Sequence, residues 1–186
     1  MLNTFVVHVE NKPGVLTRVS SLFRRRAFNI DSLTVGRTEN PEVSRMTITV
    51  DADEDQAKRI EASLYKLVNV LLVENITTEP SITRDLAMIK VAAQHHDRAH
   101  VLQLASVFRA RVVDVTADSV TLEITGNEDK IDGLLEVLRP FGVLEMVRTG
   151  IVAMRRGKKS GVPGTPSEEM EELPTEADSD DEAMSV

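Results

Sequence analysis

The stretch Glu10-Asn11-Lys12-Pro13-Gly14-Val15-Leu16 leads from a short apolar strand into a helix, and the rest of the fold extends from it. Pro13 fixes its own φ and is favoured in the first helical turn, while Gly14 lets a ligand approach the backbone without a Cβ in the way. The N–H groups of Gly14, Val15 and Leu16 are expected to face outward at the positive end of the helix dipole. This predicts a seat for a small anion such as a carboxylate, although Gly, Pro and Asn at such corners are often purely structural.

The elements around this stretch follow the order strand, helix, strand, strand, helix, strand. Apolar residues alternate up to Val9 and then recur at helical spacing from Val15. Asn40-Pro41 marks a turn between two strands, and Asp53 with Gln56 predicts a capping box before the second helix. With both helices on one sheet face, this is the ferredoxin-like split βαβ arrangement. The strands are expected near residues 5–9, 30–35, 46–50 and 70–75.

The same order of elements repeats after the polar stretch Glu79-Pro80-Ser81, which predicts a domain boundary there. The second set of strands is expected at residues 86–93, 111–115, 120–124 and 143–147, with amphipathic helices between them. The predicted fold is therefore α+β, with two ferredoxin-like βαββαβ domains at residues 1–79 and 80–156. Residues 157–186 are predicted to form a disordered acidic tail, because they carry too little apolar surface to offset the ordering entropy.

The composition excludes several classes of protein. Of the 186 residues 41% are hydrophobic, which is enough for two small cores, and none is cysteine, so disulfides and thiolate chemistry are excluded. No apolar run reaches the roughly 18 residues that a membrane span requires, and the N-terminus lacks the pattern of a signal peptide. We expect a cytoplasmic protein that does not enter the membrane.

The net charge of −8 is concentrated at one end of the chain. Residues 167–186 contain nine acidic residues and no basic one, which leaves 22 basic and 21 acidic residues elsewhere. A nearly neutral body gives no support for nucleic-acid binding. The predicted strand Ser44–Val50 also lacks the aromatic residues on which RNA recognition motifs stack bases.

Residues with catalytic potential are few. His96 and His100 are four apart, which is a spacing of metal ligands on a helix, and His95 lies beside them. No cysteine or further histidine supports them, so a solvated helix start is favoured, with a metal-dependent enzyme as the alternative. We find no nucleophile motif and no phosphate-binding glycine loop, and expect neither catalytic nor metal-binding residues in this chain.

A small one-sided sheet with open edges is suited to pairing with a second copy. If the opening loop of one copy faces Asn29 of another, the amides of Asn11 and Asn29 can match both polar ends of a zwitterionic amino acid. The local pattern by itself favours the alternative that Asn11 is a turn or cap residue and Asn29 a loop residue after a helix. The neighbouring apolar residues either line a slot for a small branched side chain or belong to the core. They are Val15, Leu16 and Ile30.

With these residues described, the chain closely resembles the small regulatory subunits of acetolactate synthase (acetohydroxyacid synthase). The resemblance covers about residues 2–156, and its most specific part runs from Asn29 to Ile48. The stretches that carry it are Val9 to Leu16, Leu22 to Arg26, Phe28 to Val35, Ser44 to Ile48, Lys66 to Val70, Arg84 to Leu86 and Val112 to Val115.

The resemblance implies an N-terminal ACT domain that forms homodimers and holds a regulatory amino acid at the dimer interface, followed by a C-terminal ACT-like domain. In this family the effector is valine, and the subunit activates a catalytic large subunit and makes it sensitive to feedback in branched-chain amino acid biosynthesis. Thiamine diphosphate, magnesium and FAD belong to the large subunit, so no cofactor is expected in this chain. The implied effector-binding residues are Asn11, Gly14, Val15 and Leu16 of one subunit and Asn29 and Ile30 of the other.

The chain departs from the family in a few places. Asp31 stands where Glu is common, and the tail has no counterpart in the family. The second domain has Gln94-His95-His96-Asp97 where the first has Asn-Lys-Pro-Gly, so we expect it to contact the large subunit or pack the assembly. A free-standing ACT-type amino-acid sensor acting on another partner is the alternative.

Overall fold

The computed structural model describes residues 1–157, and the predicted disordered tail lies outside the described residues except for Gly157. The N-terminal domain is an antiparallel sheet in the strand order β2-β3-β1-β4, with two helices on one face. Its elements are β1 (Leu2–Glu10), α1 (Val15–Arg25), β2 (Ile30–Arg37), β3 (Val43–Asp51), α2 (Glu54–Leu64) and β4 (Val70–Asn75).

The C-terminal domain repeats this topology in the strand order β6-β7-β5-β8. Its elements are β5 (Ser81–Ala92), α3 (Arg98–Val107), β6 (Arg111–Val115), β7 (Ser119–Gly126), α4 (Glu128–Leu138), β8 (Val143–Arg148) and β9 (Val152–Arg155). The prediction of two ferredoxin-like βαββαβ domains is confirmed. The predicted boundary at residues 79 and 80 falls in the connection between β4 and β5.

Each domain has its own core between its sheet and its helices. In the first, Phe5 and Val7 of β1 pack against Val19 and Phe23 of α1 in one cluster of buried residues. Val6, between them, points to the opposite sheet face, where it joins a small cluster with Ile76 and Ala153. None of the helices within residues 1–157 is both long and apolar enough to cross a membrane.

The second helix begins as its sequence predicts. The carboxylate of Asp53 accepts a hydrogen bond from the Gln56 backbone N–H at 2.8 Å, and the Gln56 side chain accepts one from the Asp53 N–H at 2.9 Å. The capping box is confirmed, because it depends only on residues three positions apart.

Two features of the second domain differ from the sequence prediction. β5 starts at Ser81 rather than at Leu86, and β9 was not predicted. The two differences have one cause, because the additional residues of β5, Ser81 to Arg84, pair antiparallel with β9. This pairing joins segments about 70 residues apart, so no local pattern of apolar residues signals it.

Candidate ligand-binding site

Gly14 lies at the N-terminus of α1 with φ 82° and ψ −7°, in the left-handed region. A Cβ placed on it would have no heavy atom within 4 Å, so the backbone here is open to solvent. The first turn of α1 contains no acidic residue. The positive end of the helix dipole is therefore accessible and is not neutralised by a side chain of that turn.

The three N–H groups of the predicted anion seat differ from one another. The N–H of Val15 donates to the carbonyl of Lys12 at 3.4 Å. The N–H groups of Gly14 and Leu16 have no acceptor among the described residues. Two of the three donors are thus free to bind an anion.

Two charged side chains belong to the same stretch of the chain. The ammonium group of Lys12 is 3.2 Å from the carboxylate of Glu10. A hydrogen bond from Asn69 and then one from Lys12 lower the pKa of Glu10. Glu10 therefore stays ionised near neutral pH and partly offsets the charge of Lys12, so the backbone N–H groups are the main attraction for a carboxylate.

The side chain of Asn11 is held in place by the turn between β2 and β3. Its Nδ2 donates to the carbonyl of Pro41 at 2.8 Å, and its Oδ1 accepts from the hydroxyl of Ser44 at 3.1 Å. One N–H and one lone pair of the amide stay available. Apart from the turn signal at Asn40-Pro41, no local pattern predicts this anchoring, because Ser44 lies 33 residues from Asn11.

The apolar candidates divide between core and surface. Val15 is 4% exposed and belongs to the core of the N-terminal domain, so its side chain lines no slot. Leu16 is 43% exposed on α1. Ile30 is partly buried against the same core. Of these three apolar candidates, Leu16 and Ile30 offer apolar surface to a ligand.

Asn29 is exposed and immediately precedes β2, an edge strand of the sheet. β1 and β2 both pair antiparallel with β3, so they run in the same direction. Asn11 follows the end of β1, whereas Asn29 precedes the start of β2, so the two amides lie at opposite ends of the sheet. The eight residues of β2 span about 26 Å, a distance that no amino acid bridges.

The histidines show no metal centre. His95, His96 and His100 are exposed, and His96 lies 3.1 Å from the carboxylate of Asp97. Among residues 1–157, no group of three or more His, Asp or Glu side chains could hold a metal ion.

The two halves of the chain match two family descriptions. Residues 5–72 match "AHAS small subunit-like ACT domain", and residues 84–157 match "Small subunit of acetolactate synthase". The matched ranges correspond to the two domains of the structure.

Relatives match over nearly their whole length. A probable acetolactate synthase small subunit of Archaeoglobus fulgidus is 48% identical over 159 residues, which are 86% of this chain and 99% of the relative. An acetolactate synthase small subunit of Mycobacterium leprae is 48% identical over 157 residues, which are 84% and 93% of the two chains. The crystal structure of the acetolactate synthase small subunit from Thermotoga maritima superposes with a TM-score of 0.79 at 38% identity, covering 86% of this chain and 99% of that one.

Proposed function

Because this chain belongs to the family of acetolactate synthase small subunits, we propose that it activates the catalytic large subunit and makes it sensitive to feedback inhibition by valine. Thiamine diphosphate, magnesium and FAD then act on the large subunit, which condenses pyruvate. This chain contributes regulation and no catalytic group.

The placement of Asn11 and Asn29 at opposite ends of the sheet carries this proposal. One chain cannot bring both amides to one small ligand, but two copies can. If two β2 edges pair antiparallel about a two-fold axis, Asn29 of one copy comes to the end of the sheet where Asn11 of the other lies. Within residues 1–157 β2 pairs with β3 on one side, which leaves its other edge for such pairing, and Val35 near its end is 46% exposed.

The chemistry of the two half-sites is complementary to valine. The free N–H groups of Gly14 and Leu16 face the valine carboxylate at the helix N-terminus. The amide oxygen of Asn29 from the second copy accepts a hydrogen bond from the ammonium group. Leu16 and Ile30 pack against the isopropyl group, which is too short to need a deep pocket.

Because the site is shared by two copies, valine binding depends on how the two copies are arranged in the dimer. Valine stabilises the dimer arrangement that closes the site, and it can change the large subunit only as far as its affinities for the two arrangements differ. Such coupling is typically about 1–3 kcal/mol, or roughly 5- to 150-fold in affinity.

The test is to combine the full chain with its large subunit and to measure pyruvate condensation with and without valine. Activation without valine and inhibition by valine are expected. Calorimetry on Gly14→Asp, which places a negative charge against the ligand carboxylate, should show loss of valine binding. Gly157→Asp is the matched control, since Gly157 also has a positive φ and open space around it.

Two outcomes would contradict the proposal. Unchanged valine affinity in both Gly14→Asp and Asn29→His would refute the site. Tight valine binding by a chain that leaves the synthase unaffected would identify a free-standing sensor instead.

A further inference from the structure

Residues 149–155, which we name the strap, lie on the face of the N-terminal sheet opposite its helices. The strap begins at the edge strand β2. The N–H of Ile151 donates to the hydroxyl of Ser32 at 3.0 Å, and the hydroxyl of Thr34 donates to the carbonyl of Ile151 at 2.8 Å. One residue of the strap is thus fixed to β2 by two hydrogen bonds.

The strap then crosses the remaining strands of the sheet. The guanidinium group of Arg45 on β3 donates to the carbonyl of Ala153. Arg155 forms an ion pair with Glu74 of β4 at 3.3 Å. Between these contacts, the side chain of Ala153 is 2% exposed and packs with Val6 and Ile76.

Gly150 sets how closely the strap approaches β2. Its φ is 87°, and a Cβ placed on it would lie 2.5 Å from the hydroxyl oxygen of Ser32. No L residue with a side chain fits there without displacing the strap or β2. The backbone of the strap at Gly150 therefore lies directly against the side chain of Ser32.

The strap also contacts the C-terminal domain directly. The hydroxyl of Thr149 donates to the carboxylate of Asp85 at 3.0 Å, and the strap strand β9 pairs with residues 81–84 of β5. β5 continues as an inner strand of the C-terminal sheet, paired with β7 and β8. A shift of the strap must therefore move β5 and the sheet around it.

β2, to which the strap is fixed, begins at Ile30, immediately after Asn29. We infer that the strap transmits effector occupancy from the start of β2 to the C-terminal domain, with Ser32, Thr34 and Gly150 as positioning residues. This inference rests on the proposed function. The two hydroxyl contacts couple a shift of β2 to a shift of β5. A ligand at Asn29 that favours one position of β2 therefore also favours one position of β5.

The test uses the double variant Ser32→Ala/Thr34→Val, which removes both hydroxyls from β2. Calorimetry on the free protein should show valine affinity within about threefold of wild type, since neither residue belongs to the ligand site. In the complex with the large subunit, activation without valine should persist. The valine concentration for half-inhibition should rise at least tenfold, within the range that such coupling spans.

Two matched variants separate coupling from general stability. Thr34→Ser keeps the hydroxyl and should retain wild-type inhibition. Thr125→Val removes an exposed hydroxyl from β7, which pairs with β5 and β6 while the strap strand β9 pairs with β5, and should do the same. If the double variant does not fold, Gly150→Ala and Ser32→Ala are measured singly.

Hydrogen exchange gives a readout that needs no large subunit. Valine should change the protection of residues 81–84 in the wild-type protein and leave it unchanged in the double variant. Wild-type inhibition in the double variant, or loss of its valine binding, would overturn the inference while the proposed function stands. Absence of valine binding by the wild-type protein would refute the proposed function and the inference together.

Discussion

Arg148 Nε lies 2.7 Å from the carboxylate of Asp85, whose side chain is only 2% exposed. Asp85 occupies the position on β5 where the strand leaves its pairing with β9 and enters the C-terminal sheet. Arg148 is also 3.1 Å from the carboxylate of Asp132 on α4. One guanidinium group therefore holds together β5, β8 and α4 beside the strap.

Replacing this arginine should destabilise the protein strongly. Arg148→Met leaves the carboxylate of Asp85 buried without its charged partner, which costs about 3 kcal/mol of unfolding free energy. Urea denaturation measures the change. Arg111→Met is the matched control, because Arg111 is 73% exposed in its pair with Glu123, and a change within about 1 kcal/mol is expected there. Equal effects in the two variants would show that burial of Asp85 is not the cause.

Replacing Ala27, the second residue after the end of α1, by glycine should stabilise the protein. Ala27 has φ 56°, a left-handed conformation in which a Cβ is strained, and it is exposed. Ala27→Gly should raise the unfolding free energy by about 0.5–1 kcal/mol. The matched control is Ala62→Gly on the exposed face of α2, which should lower it by up to about 1 kcal/mol. Destabilisation by both glycines would contradict the argument from φ.

Mixed dimers test whether two copies build each site. Gly14→Asp and Asn29→Ala homodimers should each bind no valine, since every site in them has one defective half. After subunit exchange, a heterodimer has one site with both defects and one with none. Equal amounts should therefore recover about one quarter of the wild-type number of sites, as measured by calorimetry. No recovery despite proven exchange would show that each site lies within one chain.

His8 should make the protein less stable at mildly acidic pH. Burial first, and then the positive charge of Arg45, lower its pKa from 6.5, with Glu39 opposing them. Its Nδ1 has no hydrogen-bond partner among the described residues. Since the unfolded chain takes up the proton more readily, the neutral imidazole contributes stability above pH 6.5 that is lost as pH falls below that value.

The comparison of His8→Leu with the wild-type protein isolates this contribution. Between pH 7 and pH 5 the variant should lose less stability than the wild-type protein, because the group that titrates is gone. Urea midpoints across this range measure the difference. Val9→Ala, at a buried position on the same strand that does not titrate, is the control, and its loss of stability relative to the wild type should be the same at every pH. A parallel loss in His8→Leu would assign the acid sensitivity to other groups.

The helices and most strands were predictable because their signals are local. The spacing of Val15, Val19 and Phe23 places one face of α1 in the core, and the capping box at Asp53 starts α2 at the residue expected. The opening at Gly14 was predictable for the same reason. Local backbone preference and side-chain periodicity decide such features before any tertiary contact forms.

The contacts of the strap could not be predicted in this way. The strap is too short to show a period, and its partners Ser32, Arg45 and Glu74 are far from it in the sequence. Gly150 lies in the short connection between β8 and β9, where a glycine is common. Its closeness to Ser32 shows why glycine is required there.

The sequence by itself determined the two repeated folding units and the exposed helix terminus at Gly14, because these follow from residues within a few positions of one another. The tertiary structure alone decided that Asn11 and Asn29 lie at opposite ends of one sheet. Strand order sets distances between residues remote in sequence, and no local pattern encodes that order.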